Sequence, residues 1–252
     1  MVVNPDTGNT RAVVPCKGRC VYAFSPDFSP DSRSIAYSRS VAPPNVQRPP
    51  EWKLYSAIFI VGLDGKNSHQ VTTTPKRHKG QLATDTSEPA FSPNGKMLTL
   101  VRTNFQKEND RSAVLVQPIG SPEDAHRITP WKLNCQDHPE FSPDGKVVLF
   151  RCLPKGEEGP ANLYWVHPDG TGLHQITHAP AAKQYLGSSF SPSFSEGKGW
   201  ITVGRTGGYG KKGNADVYRV LIEDGRVVRS VNLTKSAIWD SAPGWGTHPP
   251  IG

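Results

Sequence analysis

Short apolar segments separated by polar turns recur along the chain, and each apolar segment has the length of a β-strand. The clearest example is residues 138–152. There a short strand over Pro139-Glu140-Phe141-Ser142 enters a turn at Pro143-Asp144-Gly145, and a second apolar strand covers Lys146 to Arg151. Proline presets φ at the second turn position, and glycine accepts the positive φ that follows. The segment therefore predicts a β-hairpin.

The same pattern, Pro-x-Phe-Ser followed by a turn and an apolar strand, returns from one end of the chain to the other. Its first three copies begin at Pro26, Pro89 and Pro139. The fourth is Pro192-Ser193-Phe194-Ser195, and a shortened fifth is Pro243-Gly244-Trp245-Gly246. Roughly 50 residues separate successive copies, which is a period typical of repeat architectures.

A second recurring pattern lies between the copies of the first. It consists of an apolar strand, a turn, and a short strand that ends in an apolar residue and threonine, and it spans residues 58–72, 114–129, 163–177 and 217–234. Each copy predicts another hairpin. Two hairpins per repeat give four antiparallel strands, which make one propeller blade. The sequence therefore predicts an all-β fold, a β-propeller of four-stranded antiparallel blades.

The two patterns together carry a family resemblance. Pro-x-Phe-Ser-Pro-Asp-Gly, followed by Leu163-Tyr164-Trp165-Val166, Asp169-Gly170 and Gln175-Ile176-Thr177, resembles the WD40-like repeat of the TolB-type β-propellers. The resemblance covers nearly the whole chain and implies the fold. It implies little about function, because similar repeats occur in periplasmic TolB, in the propeller domains of prolyl oligopeptidase relatives and in some sugar-acid lyases.

The two ends of the chain align with complementary parts of a blade. Residues 1–14 align with an outer hairpin, and residues 241–248 align with an inner strand alone. We therefore expect one domain, 1–252, in which residues 241–248 complete the half blade of residues 1–14 and close a ring. Four complete blades and one composite blade give five. Six blades would require a further segment upstream, which is also where a signal peptide would have stood.

The loops at one end of each predicted blade are longer than the hairpin turns at the other end, so we expect a binding site there. The longest insertion, Val41 to Tyr55, predicts either a flap over the central mouth or an excursion packed on a neighbouring blade. The aromatic candidates at this end are Trp52, Tyr55, Trp131, Tyr185, Tyr209 and Trp239. Such side chains either contact a protein or glycan or pack against blade edges.

Polar candidates fall just before the innermost strands, at the rim of the predicted channel: Asp85, Gln136, Asp137, His138 and Asp240. One interpretation brings them together on a metal ion or a uronate, since the resemblance to sugar-acid lyases implies His and Gln ligands in such a place. The other gives the aspartates structural hydrogen-bonding roles. The second interpretation is favoured, so no catalytic residue, metal or cofactor is predicted.

The four cysteines fall into two local pairs. Cys135 and Cys152 nearly face each other across the hairpin around Pro143, which makes a cross-strand disulfide reasonable. Cys16 and Cys20 lie close enough in sequence for a second local bridge. Free thiols in a cytosolic protein are the alternative. Two plausible pairs favour an extracytoplasmic compartment, periplasmic or secreted, with no signal peptide in this chain.

Charge and motifs exclude several functions. The formal net charge is +7. Lys76-Arg77-His78-Lys79 is the only dense basic run, and acidic residues are mixed into most other loops, so no nucleic acid partner is expected. Gly208 to Gly213 spells a dinucleotide fingerprint but precedes a strand instead of a helix. The Gly-x-Ser-x-Gly and His-Glu-x-x-His motifs are absent from the sequence. No run reaches the roughly 18 apolar residues of a membrane-spanning helix.

The sequence thus favours a non-catalytic binding or scaffold propeller of the cell envelope or a secreted one. It is expected to be a monomer that binds a protein or glycan through its long loops. The alternative is a sugar-acid lyase or hydrolase with a metal site at the channel mouth, for which Gln136 and His138 are the candidate ligands.

Overall fold

The computed structural model describes residues 2–4, 6–14, 16–42, 55–73, 77–78, 81–82, 84–105, 110–154, 160–180, 184–206, 214–241 and 243–245. Several predictions from the sequence fall on other residues. Trp52, with most of the 41–55 insertion, and Tyr209 lie outside the described residues, as does part of the segment 241–248.

Within the described residues the chain forms twenty strands and two short 3₁₀ helices. The 3₁₀ helices are Pro122–Asp124 and Trp131–Leu133. The strands are β1 (Val2–Val3), β2 (Thr10–Arg11), β3 (Cys20–Phe28), β4 (Ser34–Val41), β5 (Tyr55–Gly62), β6 (His69–Gln70), β7 (Arg77–His78), β8 (Gln81–Leu82), β9 (Thr84–Phe91), β10 (Met97–Asn104), β11 (Arg111–Pro118), β12 (His126–Arg127), β13 (Cys135–Phe141), β14 (Val148–Cys152), β15 (Asn162–Val166), β16 (His174–Gln175), β17 (Tyr185–Phe190), β18 (Gly199–Thr206), β19 (Ala215–Glu223) and β20 (Arg226–Asn232).

Sixteen of these strands form four four-stranded sheets in simple sequential order. The first sheet is β3-β4-β5-β6, the second β9-β10-β11-β12, the third β13-β14-β15-β16 and the fourth β17-β18-β19-β20. Two further hairpins, β1-β2 and β7-β8, form two-stranded sheets. The four complete repeats expected from the sequence correspond to the four larger sheets, so the predicted fold class is confirmed. The number of blades in a complete ring stays a prediction.

The serine of the Pro-x-Phe-Ser pattern fixes the turn that joins the first and second strands of a sheet. In the third sheet, Ser142 N donates to Val147 O at 2.8 Å, and Val147 N donates back to Ser142 Oγ at 3.0 Å. Ser142 Oγ in turn donates to Asp144 Oδ1 at 2.6 Å. Ser29 and Ser92 make the same bonds in the first two sheets. The repeated Ser-Pro-Asp or Ser-Pro-Asn is therefore a turn whose own side chains supply hydrogen-bond partners for its backbone N–H groups.

The threonine of the second pattern fixes the outer hairpin in a similar way. Its Oγ1 accepts a hydrogen bond from a backbone N–H near the start of the third strand. The fourth strand ends before it reaches this N–H, so the threonine supplies the acceptor that the ladder does not. The pairs are Ile58 N with Thr72, Val114 N with Thr129, Leu163 N with Thr177 and Val217 N with Thr234. The apolar-Thr ending is thus a structural requirement of every sheet, and it carries no functional information.

The fourth sheet is displaced from the predicted register. Phe190 lies opposite Ile201 at the start of the second strand, in the position that Phe141 occupies opposite Val148 in the third sheet. The inner-strand copy in this sheet is therefore Ser188-Ser189-Phe190-Ser191. The prediction that placed it at residues 192–195 is wrong.

Two overlapping Phe-Ser pairs caused the error, and burial decides between them. Phe194 lies in the turn, where its side chain is 1% exposed and its ring centroid is 4.5 Å from that of Phe190. It also contacts the edge of Trp165 in the third sheet. Phe194 is therefore a core residue in an enlarged turn, and the sequence pattern alone does not distinguish it from a strand residue.

The described residues divide into two compact units. One comprises Met1–Arg111 with Leu115–His126, and the other comprises Ser112–Val114 with Arg127–Gly252. In the first unit, Ala36, Ile58 and Ile60 of the first sheet pack on Leu98 of the second. In the second unit, Leu149, Leu163 and Trp165 of the third sheet pack on the buried face of the fourth sheet. Each sheet thus buries an apolar face that it cannot bury alone.

The assignment of 1–252 to one domain, with residues 241–248 closing the half blade of residues 1–14, stays a prediction. The β1-β2 hairpin of that half blade is present. The backbone N–H of Asp240 donates to Ala215 O at 2.9 Å, as the N–H of Tyr185 at the start of β17 donates to Ala161 O. This equivalence supports an inner-strand register beginning at Pro243. Within the described part of residues 241–245 no strand is present.

Both predicted cysteine pairs are bonded. Cys135 and Cys152 lie directly opposite each other at the ends of β13 and β14 and are fully buried. Cys16 and Cys20 form the second disulfide, immediately before and at the start of β3. The local pairing follows from the hairpin register.

The register of the fourth sheet is testable by truncating Phe194. We expect Phe194→Ala to lower the free energy of unfolding by about 3–5 kcal/mol, because it opens a cavity beside Phe190 and Trp165. Phe28→Ala is the matched control: Phe28 also carries the Pro-x-Phe-Ser phenylalanine but is 51% exposed, so the loss is expected to stay below about 1 kcal/mol. Urea unfolding monitored by tryptophan fluorescence measures both, and similar losses in the two variants would contradict the register.

Candidate functional site

The first strand of each sheet, called here the inner strand, contains a β-bulge at the same place. The bulged residue directly precedes the Pro-x-Phe-Ser position and has positive φ in every sheet: Ser25 (46°), Glu88 (56°), His138 (50°) and Gly187 (47°). Three of the four are not glycine, so the backbone is held in a conformation that such residues seldom adopt. The repetition shows that the bulge belongs to the fold of the repeat.

In the first unit, no strand among the described residues lies on the free edge of the inner strand of the second sheet. Side chains of the first sheet bind its amides instead. Ser38 Oγ accepts from the N–H of the bulged Glu88 at 2.8 Å. Asp27 Oδ2 accepts from Phe91 N at 2.7 Å. The two donor amides stand three residues apart on β9, on either side of Pro89. Asp27 therefore joins two sheets and is not a free carboxylate.

The second unit repeats this arrangement with different side chains. Asp137 Oδ2 accepts from the bulged Gly187 N at 3.3 Å, and Glu140 Oε2 accepts from Phe190 N at 3.2 Å. Asp27 and Glu140 occupy the same position in their repeats, the x of Pro-x-Phe-Ser. An acidic residue at this position satisfies the amide of the next inner strand.

Asp85 accepts hydrogen bonds from two strands. Its Oδ1 atom accepts from the backbone N–H of Ser56 in β5 and from Thr86 N, so it joins the second sheet to the first. Burial raises the pKa of Asp85 to about 6, against the opposing effect of these hydrogen bonds. Burial also raises the pKa of Asp27 to about 6. Both shifts come from the packing between sheets.

Asp137 and Arg151 form the best-defined polar pair at the predicted rim. Arg151 Nε lies 2.9 Å from Asp137 Oδ2, and both side chains are largely buried. Arg151 Nη1 donates to Tyr185 O at 3.2 Å, at the start of β17. Gln136, paired with Arg151 across the strands, and the exposed His138 flank this pair. The structure therefore brings Gln136, Asp137, His138 and Tyr185 into one region of the second unit.

An arginine stands near the end of the second strand in every sheet. Arg39, Arg102, Arg151 and Arg205 each pair with the residue three positions before the Pro-x-Phe-Ser motif. All four side chains are half-buried. Sequence reasoning missed this set, although a visible signal existed, because each apolar second strand ends in arginine: Ser38-Arg39, Val101-Arg102, Phe150-Arg151 and Gly204-Arg205.

The four arginines differ in how their charge is balanced. Arg39 lies over the ring of Phe59 and donates to Lys17 O, and Arg205 lies 3.9 Å from the ring centroid of Tyr218. Arg151 has the Asp137 carboxylate. Among the residues that the structure describes, Arg102 has no carboxylate or carbonyl acceptor, and burial lowers its pKa. Arg102 is therefore the least neutralised cation of the set.

The remaining candidates from the sequence lie in separate segments of the chain. Tyr55 begins β5 and Trp131 lies in a 3₁₀ helix with the guanidinium of Arg127 5.4 Å from its ring centroid. Trp239 is 55% exposed and donates its indole N–H to Ser241 Oγ. Asp240 contributes its backbone N–H, as described above. Tyr55 belongs to the first unit, and Trp131, Trp239 and Asp240 belong to the second.

A cleft of about 370 Å³ lies at the other ends of the strands, between the turns of the first and second sheets. Pro30, Phe91, Pro93 and Ile119 supply its apolar lining. Its polar groups bind within their own turns: Asp31 Oδ1 accepts from Ser29 Oγ and Arg33 N, and Asn94 Oδ1 accepts from Ser92 Oγ and Lys96 N. The cleft therefore offers little polar recognition.

Among the described side chains, no group of three or more His, Cys, Asp or Glu residues is arranged to hold a metal ion. Over the same residues, no helix has the length and apolar character needed to cross a membrane.

The raised pKa values of Asp27 and Asp85 predict a pH dependence of stability. Between about pH 4 and pH 6 the folded protein holds protons that the unfolded chain has released, so each carboxyl lowers stability as pH rises through this window. Wild type loses this stability as pH rises, and Asp85→Asn does not. The difference in free energy of unfolding between Asp85→Asn and wild type is therefore expected to shift in favour of the variant by at most about 3 kcal/mol from pH 4 to pH 7. Urea unfolding at a series of pH values measures this difference.

Asp31→Asn is the control with the opposite sign. The hydrogen bond from Ser29 lowers the pKa of Asp31, so its contribution to stability is present above its ordinary value of 3.8 and is lost below it. Asp31→Asn relative to wild type should therefore show no gain between pH 4 and pH 7. A flat difference for both Asp27→Asn and Asp85→Asn would contradict the assigned burial.

Comparison with solved structures finds β-propellers. The chain aligns with the putative TolB from Agrobacterium tumefaciens at a TM-score of 0.56 and 16% identity, over 84% of this chain and 80% of that one. It aligns with an oligogalacturonate lyase in complex with manganese at 0.57 and 13%, over 86% and 55% of the two chains. It aligns with the β-propeller domain of the Trilobed protease from Pyrococcus furiosus, which has an open velcro topology, at 0.51 and 16%, over 86% and 58%.

No family model and no curated protein sequence matches the chain. The chain spans 80% of the TolB structure but little more than half of the lyase and protease chains. Identities this low show the fold alone. The resemblance inferred from the repeats is confirmed at that level: the chain has the fold of the TolB-like β-propellers.

Proposed function

We propose that this chain is a non-catalytic binding propeller that recognises an acidic protein or glycan at the strand ends where its long loops lie. The observation that carries the proposal is the different use of acidic and basic side chains there. At these ends Asp85 and Asp137 accept hydrogen bonds from backbone amides of neighbouring elements, and nearer the turns Asp27 and Glu140 do the same. They hold the sheets together and are poorly placed for general acid–base work.

Within the described part of the chain, the basic side chains at these long-loop strand ends have fewer hydrogen-bond partners than the acidic ones. Each sheet carries an arginine there, and Arg102 has no acceptor among the described residues. A half-buried guanidinium without a counter-ion binds a carboxylate, sulfate or phosphate more strongly than an exposed lysine, because water screens it less and its fork geometry fits such groups. The formal net charge of +7 adds long-range attraction for the same class of ligand.

The compartment forms part of the proposal. Two disulfides involve all four cysteines, and one of them is fully buried between strands. Such bonds persist in oxidising environments and are rare in the cytosol. An extracytoplasmic location, periplasmic or secreted, would expose the protein to acidic envelope or wall polymers. The monomeric state is proposed with it.

Arg102 provides the test of binding. The probes are an oligogalacturonate, its methyl-esterified neutral counterpart and a glutamate-rich peptide, each titrated by calorimetry. We expect wild type to bind an acidic probe and not the neutral ester. Arg102→Gln should weaken that binding about tenfold, because one charge-assisted contact is worth roughly 1.5–3 kcal/mol, and should flatten its salt dependence.

Arg33→Gln is the matched control. Arg33 lies in the turn before β4, at the opposite strand end from the four arginines. The substitution Arg33→Gln removes the same charge as Arg102→Gln. Affinity should change less than about twofold in this variant. Equal losses in both variants would indicate general attraction by net charge, and binding of the neutral ester would contradict the proposal.

A lyase or hydrolase with a metal at the channel mouth is the second candidate, and one local feature favours it. Asp137 and His138 are consecutive non-glycine residues with positive φ, at 76° and 50°. Such backbone strain is frequent at functional sites. The exposed His138 stands next to Gln136, and one structural neighbour is a lyase that was solved with manganese.

His138 distinguishes the two candidates. On the binding proposal, protein dialysed against manganese or calcium retains no stoichiometric metal by elemental analysis, and His138→Ala binds acidic probes as wild type does. The enzyme candidate requires the reverse: about one metal per chain, lost in His138→Ala, with cleavage of oligogalacturonate followed by absorbance of the unsaturated product. Asn134→Ala, three residues before the bulge pair, controls for disturbance of β13.

A further inference from the structure

The outer strand of the fourth sheet differs from the outer strands of the other three. β20 has seven residues, whereas β6, β12 and β16 have two each. Natural sheets commonly keep edge strands short, because a long free edge pairs with other chains. Three sheets of this protein follow that rule and the fourth does not.

A tight turn explains the length of β20. Asp224 and Gly225 both have positive φ, at 48° and 72°, which is the type I′ conformation that continues two strands without interruption. In the first and third sheets only the glycine of the corresponding Asp-Gly has positive φ, and the chain leaves the sheet before returning for two residues. The local turn therefore creates the long edge.

The hydrogen-bond alternation shows which backbone groups are free. Leu233 N donates to Val217 O, so the backbone N–H and C=O of Leu233 point towards β19. In an antiparallel ladder every second residue of β20 has this orientation. Ser230, opposite Val220, falls between two such residues, and its N–H and C=O point away from β19. Among the described residues no strand lies on that side of β20.

The side chains along this edge are apolar and basic. Val227 is 38% exposed and Val228 is 52% exposed, and Arg226 and Arg229 flank them. From residue 225 to residue 235 the chain contains no acidic residue. Of the two acidic residues that precede this segment, Glu223 pairs with Lys198 and Asp224 is exposed in the turn. An extended partner would therefore meet free backbone groups, two exposed valines and two exposed guanidinium groups.

We propose that β20 is a strand-addition site for an extended segment of a partner protein in which acidic and apolar residues alternate. Backbone groups such as those of Ser230 supply the pairing, and Arg226 and Arg229 select acidic side chains. The site lies on the outer edge of the fourth sheet, away from the arginine-bearing strand ends. It is independent of the proposed recognition of an acidic ligand there.

Charge disfavours a second copy of this chain as the occupant. In an antiparallel pair of two β20 strands centred between Val227 and Val228, Arg226 of each copy stands opposite Arg229 of the other, and a pair centred on Arg229 places that residue opposite itself. Like charges directly opposite each other destabilise a sheet. The bulge at Val228 further limits self-pairing, because two bulged strands do not match in register.

Proline at position 230 provides the test. Ser230→Pro removes a backbone N–H that points away from β19 and keeps the hydrogen bonds between β19 and β20 intact. Ser230→Ala keeps this N–H and serves as the control. The probe is a fluorescent heptapeptide of alternating glutamate and valine, compared with its lysine–valine counterpart by fluorescence anisotropy. We expect wild type and Ser230→Ala to bind only the glutamate peptide, and Ser230→Pro to bind it about tenfold more weakly.

The double variant Arg226→Glu with Arg229→Glu keeps the test valid if the proline variant fails to fold. It should lose the glutamate peptide and gain the lysine peptide. Folded Ser230→Pro that binds like wild type, or equal binding of both peptides, overturns the proposal. A concentration-dependent dimer in sedimentation velocity that Ser230→Pro abolishes would also overturn it, since the occupant would then be a second copy.

Discussion

The open edge of each inner strand is the constraint on which the rest of the structure depends. A four-stranded sheet leaves one row of amides and carbonyls unpaired at its inner strand, and a buried amide without an acceptor costs about as much as a lost hydrogen bond. Within each unit the neighbouring sheet provides the acceptors. Asp27 binds the amide of Phe91, and Glu140 binds that of Phe190, with distances of 2.7 and 3.2 Å.

This solution determines what the acidic residues can do. A carboxylate that joins two sheets is desolvated, and its pKa moves with burial, as for Asp27 and Asp85. Its described hydrogen bonds run to backbone amides of neighbouring strands. Perturbed pKa values often mark active sites. Here burial between the sheets is the main cause of both raised pKa values.

The four sheets also show how one repeat acquires individual properties. The serine turn and the threonine bond recur with little variation, since each satisfies backbone groups that every sheet possesses. Differences accumulate where the backbone permits them. Phe194 fills an enlarged turn in the fourth sheet, and Asp224-Gly225 extends its outer strand. Both changes alter one sheet without disturbing the repeat, so an edge such as β20 can become specialised.

The sequence by itself determined the four hairpin repeats, their order and the two disulfides. Turn chemistry and strand periodicity are local, and Cys135 and Cys152 follow from the register of a single hairpin. Tertiary structure decided the rest. The choice between Phe190 and Phe194 depended on which ring the third sheet buries. The role of Asp85 depended on Ser56 in another sheet. These are contacts between segments far apart in sequence, and no local pattern encodes them.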